Sequence, residues 1–137
     1  MLEVHIAQAL QSLDETLSEL SSLGEVDAEQ LLTDWRTRMA VERALQILVE
    51  VVIDVCQRLI SVQGQTPANT SITAIERCIQ LGALSDDPIY RQMVRFRNFI
   101  VHRYERVDSH ILADMVNQRL IDFEQFRDEI LRYVKTH

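Results

Sequence analysis

Residues 87–104 read DPIYRQMVRFRNFIVHRY. Asp87 can cap a helix and Pro88 suits the first helical position, so the segment predicts a helix that begins at Pro88. The apolar side chains that follow recur at helical spacing up to about His102 or Tyr104. They line one face of the helix and consist of Ile89, Met93, Phe96 and Ile100. Such a face has to be buried against other helices, which makes a helical bundle the expected fold.

Polar side chains occupy the rest of this helix in two stripes. The stripe roughly opposite the apolar face contains Arg91, Arg95, Asn98 and His102, and a third stripe contains Tyr90, Arg97 and Tyr104. Successive residues of a helix turn by about 100°, so Arg97 and His102 point about 140° apart. We therefore expect that the long arginine side chain, the end of the helix and a second subunit bring the two groups together.

Basic charge is concentrated in residues 91–106. The chain as a whole has a formal net charge of −7, which argues against general nucleic-acid binding. A single acid, Glu105, accompanies five arginines in this segment: Arg91, Arg95, Arg97, Arg103 and Arg106. A local basic patch on an acidic body fits selective contact with an RNA or with an acidic partner. The alternative is a solvated helix face whose charges are ion-paired.

The remaining helices follow from the same periodicity. A chain of 137 residues with 47% hydrophobic residues, 3 Gly and 2 Pro fits one all-α domain over residues 1–137. Helical patterns cover about Leu2–Leu23, Asp27–Val62 with a bend near Trp35, Ser71–Leu81, and a last helix from an Asp108 cap to about Lys135. Together with the helix at Pro88, they predict an antiparallel bundle of about five helices. Residues 63–70 form the clearest loop.

Several classes of site lack the residues that they need. Two isolated cysteines, Cys56 and Cys78, do not supply a zinc site, so we expect reduced and buried thiols. The chain has no P-loop and no paired Glu-x-x-His motifs, so no metal and no cofactor are expected. The other histidines are isolated and are expected at the surface: His5, His110 and His137. No apolar run approaches the ~20 residues of a membrane span and no leader opens the chain, which predicts a soluble, cytoplasmic protein.

The run Arg97–Tyr104 concentrates the chemistry of the chain. RNA supplies its own nucleophile, the 2′-hydroxyl, and His102 is suited to take that proton or to protonate the leaving 5′-oxygen. Arg97 is suited to hold the nonbridging oxygens, and Asn98 to orient the imidazole or bind the phosphate. No metal is needed for this reaction. In the alternative without catalysis, Arg97 and His102 complement a helix C-terminus and Tyr104 is a packing residue.

This run also resembles a known family. Arg97-Asn98-x-x-Val101-His102-x-Tyr104 is similar to the RNxxVHxY form of the R-x4-6-H signature of HEPN ribonucleases, found in the HepT branch. The resemblance extends over roughly residues 30–125 and includes Val41–Gln46, Glu50, Asp54, Pro67, Leu81-Gly82 and Glu105-x-Val107-Asp108. Arg95 departs from the small residue expected at its position in many relatives. It adds charge beside the site, which bears on substrate preference rather than on the chemistry.

The resemblance implies a function and a set of roles. HepT proteins are homodimers with paired motifs facing one cleft, and they are the endoribonuclease toxins of type VII HepT–MntA toxin–antitoxin modules. The resemblance assigns catalysis to Arg97, Asn98 and His102. It implies that an MntA-like nucleotidyltransferase antitoxin adenylylates Tyr104. The arginines expected to contact the RNA substrate are Arg91, Arg95 and Arg103.

Two other readings of the sequence stay open. The chain could be a noncatalytic HEPN subunit that docks a nucleotidyltransferase and presents a ligand, or a plain helical interaction module. The nuclease needs both Arg97 and His102 for RNA cleavage, whereas the noncatalytic subunit needs the surface but no proton transfer. The interaction module needs neither.

Overall fold

The computed structural model describes residues 3–100 and 108–137. Every regular element in these two ranges is a helix, which confirms the predicted all-α class. The seven helices are α1 (Val4–Ser21), α2 (Ala28–Thr33), α3 (Trp35–Val62), α4 (Ser71–Gln80), α5 (Pro88–Ile100), α6 (Ser109–Gln118) and α7 (Leu120–Thr136). The count exceeds the predicted five because two of the predicted helices are each divided in two.

Helix α3 is the centre of the bundle. Its 28 residues give a length of about 42 Å at a rise of about 1.5 Å per residue. Helices α1, α2, α4, α5 and α6 all pack against it. Its apolar residues recur at helical spacing, and the fully buried ones include Val41, Leu45, Leu48, Val52 and Cys56. Because this buried stripe is continuous, five other helices can pack against α3.

The predicted helix over Asp27–Val62 is interrupted at Asp34. The backbone of Asp34 is extended, with φ −108° and ψ 93°, and this residue ends α2 and begins α3. Its Oδ1 accepts hydrogen bonds from the backbone N–H groups of Arg36 and Thr37, both at 3.2 Å. A short acidic side chain can satisfy these free amides, so the helix restarts there without a proline or glycine. The bend predicted near Trp35 is therefore a true break.

The last predicted helix is also divided, at Arg119. This residue has φ −112° and ψ −1° and separates α6 from α7. No side chain caps the start of α7. On the two sides of this break the helices have different neighbours: α6 packs against α2 and α3, and α7 packs against α1. A single straight helix would not cover both surfaces. No local pattern in the sequence predicts a break at Arg119, because the break depends on packing against other helices.

The two cysteines are free and buried, as predicted. Cys56 lies on α3 and Cys78 on α4, and the Cys78 thiol lies 3.5 Å from the Cys56 carbonyl oxygen. The hydrogen bond with Cys78 and burial raise the pKa of the Cys56 thiol well above its usual value. The Cys56 thiol therefore stays protonated, and the two cysteines act as small core side chains that join α3 to α4.

Candidate functional site

Helix α5 carries the first half of the motif, and its start is fixed as predicted. Asp87 precedes the helix and Pro88 is its first residue. The Asp87 Oδ1 atom accepts a hydrogen bond from the Ile89 N–H at 3.1 Å. The hydrogen bond from Gln125 and that backbone bond lower the pKa of Asp87. An ionised carboxylate at this helix start is favourable because it faces the positive end of the helix dipole.

A hydrogen-bond network from α7 holds the same end of α5. Gln125 Nε2 lies 3.1 Å from Asp87 Oδ2, 3.0 Å from Glu129 Oε2 and 3.4 Å from the Tyr90 hydroxyl. Glu129 in turn accepts hydrogen bonds from the Ser85 N–H and hydroxyl at 2.6 and 3.0 Å. Burial and the Glu129 carboxylate raise the pKa of Tyr90 well above its usual value. Tyr90 is thus a neutral structural residue, and the network sets the direction in which α5 delivers the motif.

The buried face of α5 is broader than the predicted apolar face. Its buried residues are Tyr90, Met93, Val94 and Phe96, whereas Ile89 and Ile100 are half-buried. Tyr90 packs edge-on against Phe126 of α7, with ring centroids 6.1 Å apart. The stripe predicted to hold Tyr90 and Arg97 therefore lies on the inward side of the helix. The error arose because a tyrosine was counted as polar, although its ring packs like any other aromatic ring.

Arg97 is a cation on this inward side. The residue is half-buried, and its Nε atom is buried with no hydrogen-bond partner among residues 3–100 and 108–137. A buried guanidinium nitrogen without a partner is destabilising, because its hydration is lost and nothing replaces it. Such a group is stabilised when an anion reaches it. This makes Arg97 the strongest candidate on α5 for binding a phosphate.

Asn98 and Arg95 lie on the other side of α5. Both residues are exposed, and Arg95 has no ion pair within the described ranges. Asn98 follows Arg97 directly, so their side chains diverge by about 100° around the helix. Within one chain, the structure therefore does not bring Arg97 and Asn98 to a common surface of α5.

Arg91 differs from the other arginines of this helix. Its guanidinium pairs with Asp86 at 2.9 Å and with Glu76 of α4 at 3.9 Å. These contacts match the alternative of an ion-paired helix face at this position. The expected contact between Arg91 and RNA stays a prediction, and it would require these two acids to be displaced or shared.

The second half of the motif lies within residues 101–107, which are outside the described residues. This segment contains His102, Arg103 and Tyr104. The expectations that His102 moves the proton, that Arg103 contacts RNA and that Tyr104 is modified therefore stay predictions. The distance between Arg97 and His102 stays open for the same reason.

Other expected features can be compared directly. His5, His110 and His137 are exposed, as predicted. Within residues 3–100 and 108–137, no cluster of histidine, cysteine and acidic side chains is arranged to hold a metal ion. None of the helices in the described part of the chain is long and apolar enough to cross a membrane.

Sequence reasoning missed two parts of this region. Gln125 and Glu129 on α7 anchor α5 from more than thirty residues away, and the sequence gives no sign of that contact. Phe99 is 59% exposed although it lies within the motif and is among the most hydrophobic residues of α5. Helical spacing does carry a signal for Phe99, because it falls outside the apolar face of Ile89, Met93 and Phe96.

Comparison with known proteins connects this chain and its fold with one protein family. The model of the Ribonuclease HepT-like family matches residues 9–130. A tri-AMPylated Shewanella oneidensis HEPN toxin in complex with MNT antitoxin has a similar structure, with a TM-score of 0.84, 23% identity, and coverage of 96% of this chain and 99% of that chain. An MntA–HpeT toxin–antitoxin variant gives a TM-score of 0.79 at 25% identity, and covers 93% of this chain and 97% of that one.

The agreement extends over nearly the whole chain. A third solved structure, a toxin–antitoxin with AMP-PNP, has a TM-score of 0.81 at 23% identity and covers 93% of this chain and 97% of that chain. Among curated proteins, none has a sequence that matches this chain. The family model spans α2 to α6 entirely and most of α1 and α7. The protein therefore belongs to the HepT-like ribonuclease family.

Proposed function

We propose that this protein is a metal-independent endoribonuclease, the toxin of a type VII HepT–MntA toxin–antitoxin module in the cytoplasm. In this proposal the active form is a homodimer with paired motifs facing one cleft. An MntA-like nucleotidyltransferase antitoxin neutralises the toxin by adenylylating Tyr104.

The observation that carries the proposal is the state of Arg97. Its Nε atom is buried without a partner in the described ranges, at the end of the helix that holds the family motif. A partly buried arginine kept for stability would be paired, as Arg127 is with Asp14 at 2.9 Å. An unpaired arginine is costly in the free protein and gains most when an anion binds. Membership of the HepT-like ribonuclease family makes an RNA phosphate the natural anion.

The proposed reaction uses only groups of the protein and of RNA. The 2′-oxygen attacks the adjacent phosphorus as His102 accepts the hydroxyl proton. The bond from phosphorus to the 5′-oxygen then breaks, and a proton is returned to that oxygen. The products are a 2′,3′-cyclic phosphate and a 5′-hydroxyl. Arg97 stabilises the charge on the nonbridging oxygens, and Asn98 orients the imidazole or the phosphate.

The proposed control acts through Tyr104. The Tyr104 hydroxyl attacks the α-phosphorus of ATP, pyrophosphate leaves, and the phenol proton is released, so AMP becomes attached to the tyrosine. The added phosphate charge could pair with Arg103 or Arg106 in place of an RNA phosphate. Support comes from two similar solved structures, a tri-AMPylated toxin with its MNT antitoxin and a variant of the MntA–HpeT pair in which a tyrosine is replaced by alanine.

The nuclease is tested by expressing the wild type and His102→Ala alone in cells and sequencing the RNA ends. We expect new 5′-hydroxyl and cyclic-phosphate ends only with the wild type, and unchanged cleavage by the purified protein in the presence of a chelator. Activity that a chelator abolishes and a divalent metal restores would overturn the metal-independent mechanism. Cleavage by His102→Ala at the wild-type rate would instead show that His102 does not take part in catalysis.

The control is tested by incubating the protein with the antitoxin and ATP and measuring its intact mass. We expect one or more AMP units on Tyr104 and loss of RNA cleavage. Tyr104→Phe removes only the hydroxyl, so it should stay folded and unmodified. An adduct mapped to another residue, or no adduct at all, would contradict this part of the proposal.

A further inference from the structure

Phe99 is a large apolar side chain on the exposed side of α5, with no role in the proposed reaction. It is 59% exposed, whereas the neighbouring aromatic residue of the helix, Phe96, is buried at 6%. Single exposed hydrophobic residues are common on protein surfaces. The neighbours of Phe99 are what distinguish it, because it follows Asn98 and lies one helical turn after Arg95, both of which are exposed.

Arg95 and Phe99 form a pair with complementary chemistry. Residues four apart on a helix lie on the same side, separated by about 6 Å along the axis. Arg95 has no ion pair within the described ranges, unlike Arg91, which is held by Asp86 and Glu76. The exposed side of α5 thus presents a cation that has no ion pair within residues 3–100 and 108–137 beside an exposed aromatic ring.

This pairing matches the repeating unit of a single-stranded nucleic acid. Each nucleotide offers a negative phosphate and a flat base, and proteins bind unpaired strands with cations for the first and aromatic rings for the second. In a duplex the faces of the bases are covered by their neighbours, so the ring has nothing to stack on.

We propose that Phe99 stacks on an unpaired RNA base and that Arg95 binds a phosphate beside that base. The proposal rests on the proposed function, since it takes RNA as the ligand of this face, and it narrows the substrate to single-stranded RNA. Phe99 would then set which nucleotides are accepted next to the cleaved bond, while Arg97 acts on the phosphate that reacts.

The test measures binding of a short RNA that carries 2-aminopurine, either single-stranded or annealed to its complement. The full chain carries His102→Ala so that the RNA is not cut. We expect Phe99→Leu to weaken single-strand binding by about 5- to 150-fold and to abolish the fluorescence quenching that stacking produces. Phe99→Trp should restore both signals. Leucine is a strong helix former, so α5 should keep its fold, and circular dichroism checks this.

The matched control is Val62→Ala. Val62 is also 59% exposed, but it lies at the C-terminal end of α3 beside Glu3 and Tyr133. We expect no change in RNA binding for this variant. Equal binding by the wild type and Phe99→Leu would overturn the proposal. So would conversion of a dimer to a monomer by Phe99→Leu, which would make a second copy the occupant of this face.

The proposed stacking role of Phe99 and the proposed nuclease activity can be contradicted independently. If the wild type cleaves RNA and Phe99→Leu, in a chain that retains His102, cleaves with unchanged kcat and KM, the stacking role is wrong and the nuclease stands. If the wild type binds the single strand with Phe99-dependent quenching but does not cleave it, the stacking role is supported and the nuclease is wrong.

Discussion

Arg97 combines two properties that conflict in a folded protein, a permanent charge and a buried nitrogen atom without a partner in the described part of the chain. Stability alone would favour an apolar residue of similar length at this position, because buried charges are often replaced by apolar residues with no loss of stability. A requirement for anion binding explains why an arginine is present instead.

We expect Arg97→Met to separate these two effects. RNA cleavage should fall by about 100-fold or more, since a group that stabilises charge in the transition state is lost. The melting temperature should stay the same or rise, because the unpaired nitrogen is removed. Cleavage assays and thermal unfolding measure the two effects on one sample. A large drop in melting temperature would show that Arg97 has a structural partner.

Arg127→Met is the matched control for that variant. Arg127 pairs with Asp14 at 2.9 Å and joins α7 to α1. Its loss should cost up to about 1 kcal/mol, the usual range for a partly exposed ion pair. Cleavage should be unchanged, because neither residue belongs to the motif.

Asp87 predicts a specific pH dependence of stability. Its pKa is lowered in the folded protein by the hydrogen bonds from Gln125 and Ile89, so ionisation favours folding. This contribution is complete above the unfolded pKa of about 3.9 and is lost as the pH falls through the lower folded value. Asparagine can still cap α5 but cannot ionise. The wild type should therefore be more stable than Asp87→Asn at neutral pH, and the difference should shrink below about pH 4.

Urea unfolding of both proteins at a series of pH values measures this difference. A stability difference that grows on acidification would mean that the folded pKa of Asp87 is raised rather than lowered.

At the scale of the helices, two side-chain amides hold the loops to the bundle. Asn117 of α6 accepts from the Val26 N–H at 2.8 Å and donates to its carbonyl oxygen at 2.7 Å. Gln57 of α3 binds Ala68 in the same way, at 2.9 and 3.0 Å. Both loop residues are buried, so their backbone groups need partners that no helix supplies. Each side-chain amide therefore makes the two hydrogen bonds that a neighbouring backbone segment would otherwise make.

We expect Asn117→Ala to destabilise the protein by about 2–4 kcal/mol, because two hydrogen bonds are lost and both backbone groups of buried Val26 are left unsatisfied. Chemical denaturation measures the change. Gln118→Ala, at the exposed neighbouring position, should change stability by less than about 0.5 kcal/mol. Similar effects of the two substitutions would show that the bridge to Val26 contributes little.

At the level of the assembly, the described residues of one chain do not bring Arg97 and Asn98 to a common surface. Arg97 lies on the inward side of α5 and Asn98 on the exposed side. A two-fold assembly of the proposed kind would supply each motif with groups from a second copy. We expect a homodimer in sedimentation at micromolar concentration, and cleavage that falls on dilution below the dissociation constant of the dimer. A stable monomer that cleaves RNA fully would contradict the shared cleft.

The fold class, most helix starts and the family could be predicted from the sequence alone. Caps such as Asp87 and Asp108 could be recognised because a helix start is decided by a few adjacent residues. The helical patterns that cover α1 and α3 could be recognised from residue spacing for the same local reason. The motif could be recognised because its residues are consecutive, so no contact between distant residues had to be inferred.

The other features of the fold and of the candidate site could be seen only in the three-dimensional structure. The breaks at Asp34 and Arg119 depend on which surfaces α2 and α6 must cover. The inward side of Arg97 depends on how α5 lies against α3 and contacts α7 through Tyr90 and Phe126. The anchoring of α5 by Gln125 likewise joins residues far apart in the chain. These features arise from contacts between distant segments, and periodicity within one helix contains no information about the partner that the helix will meet.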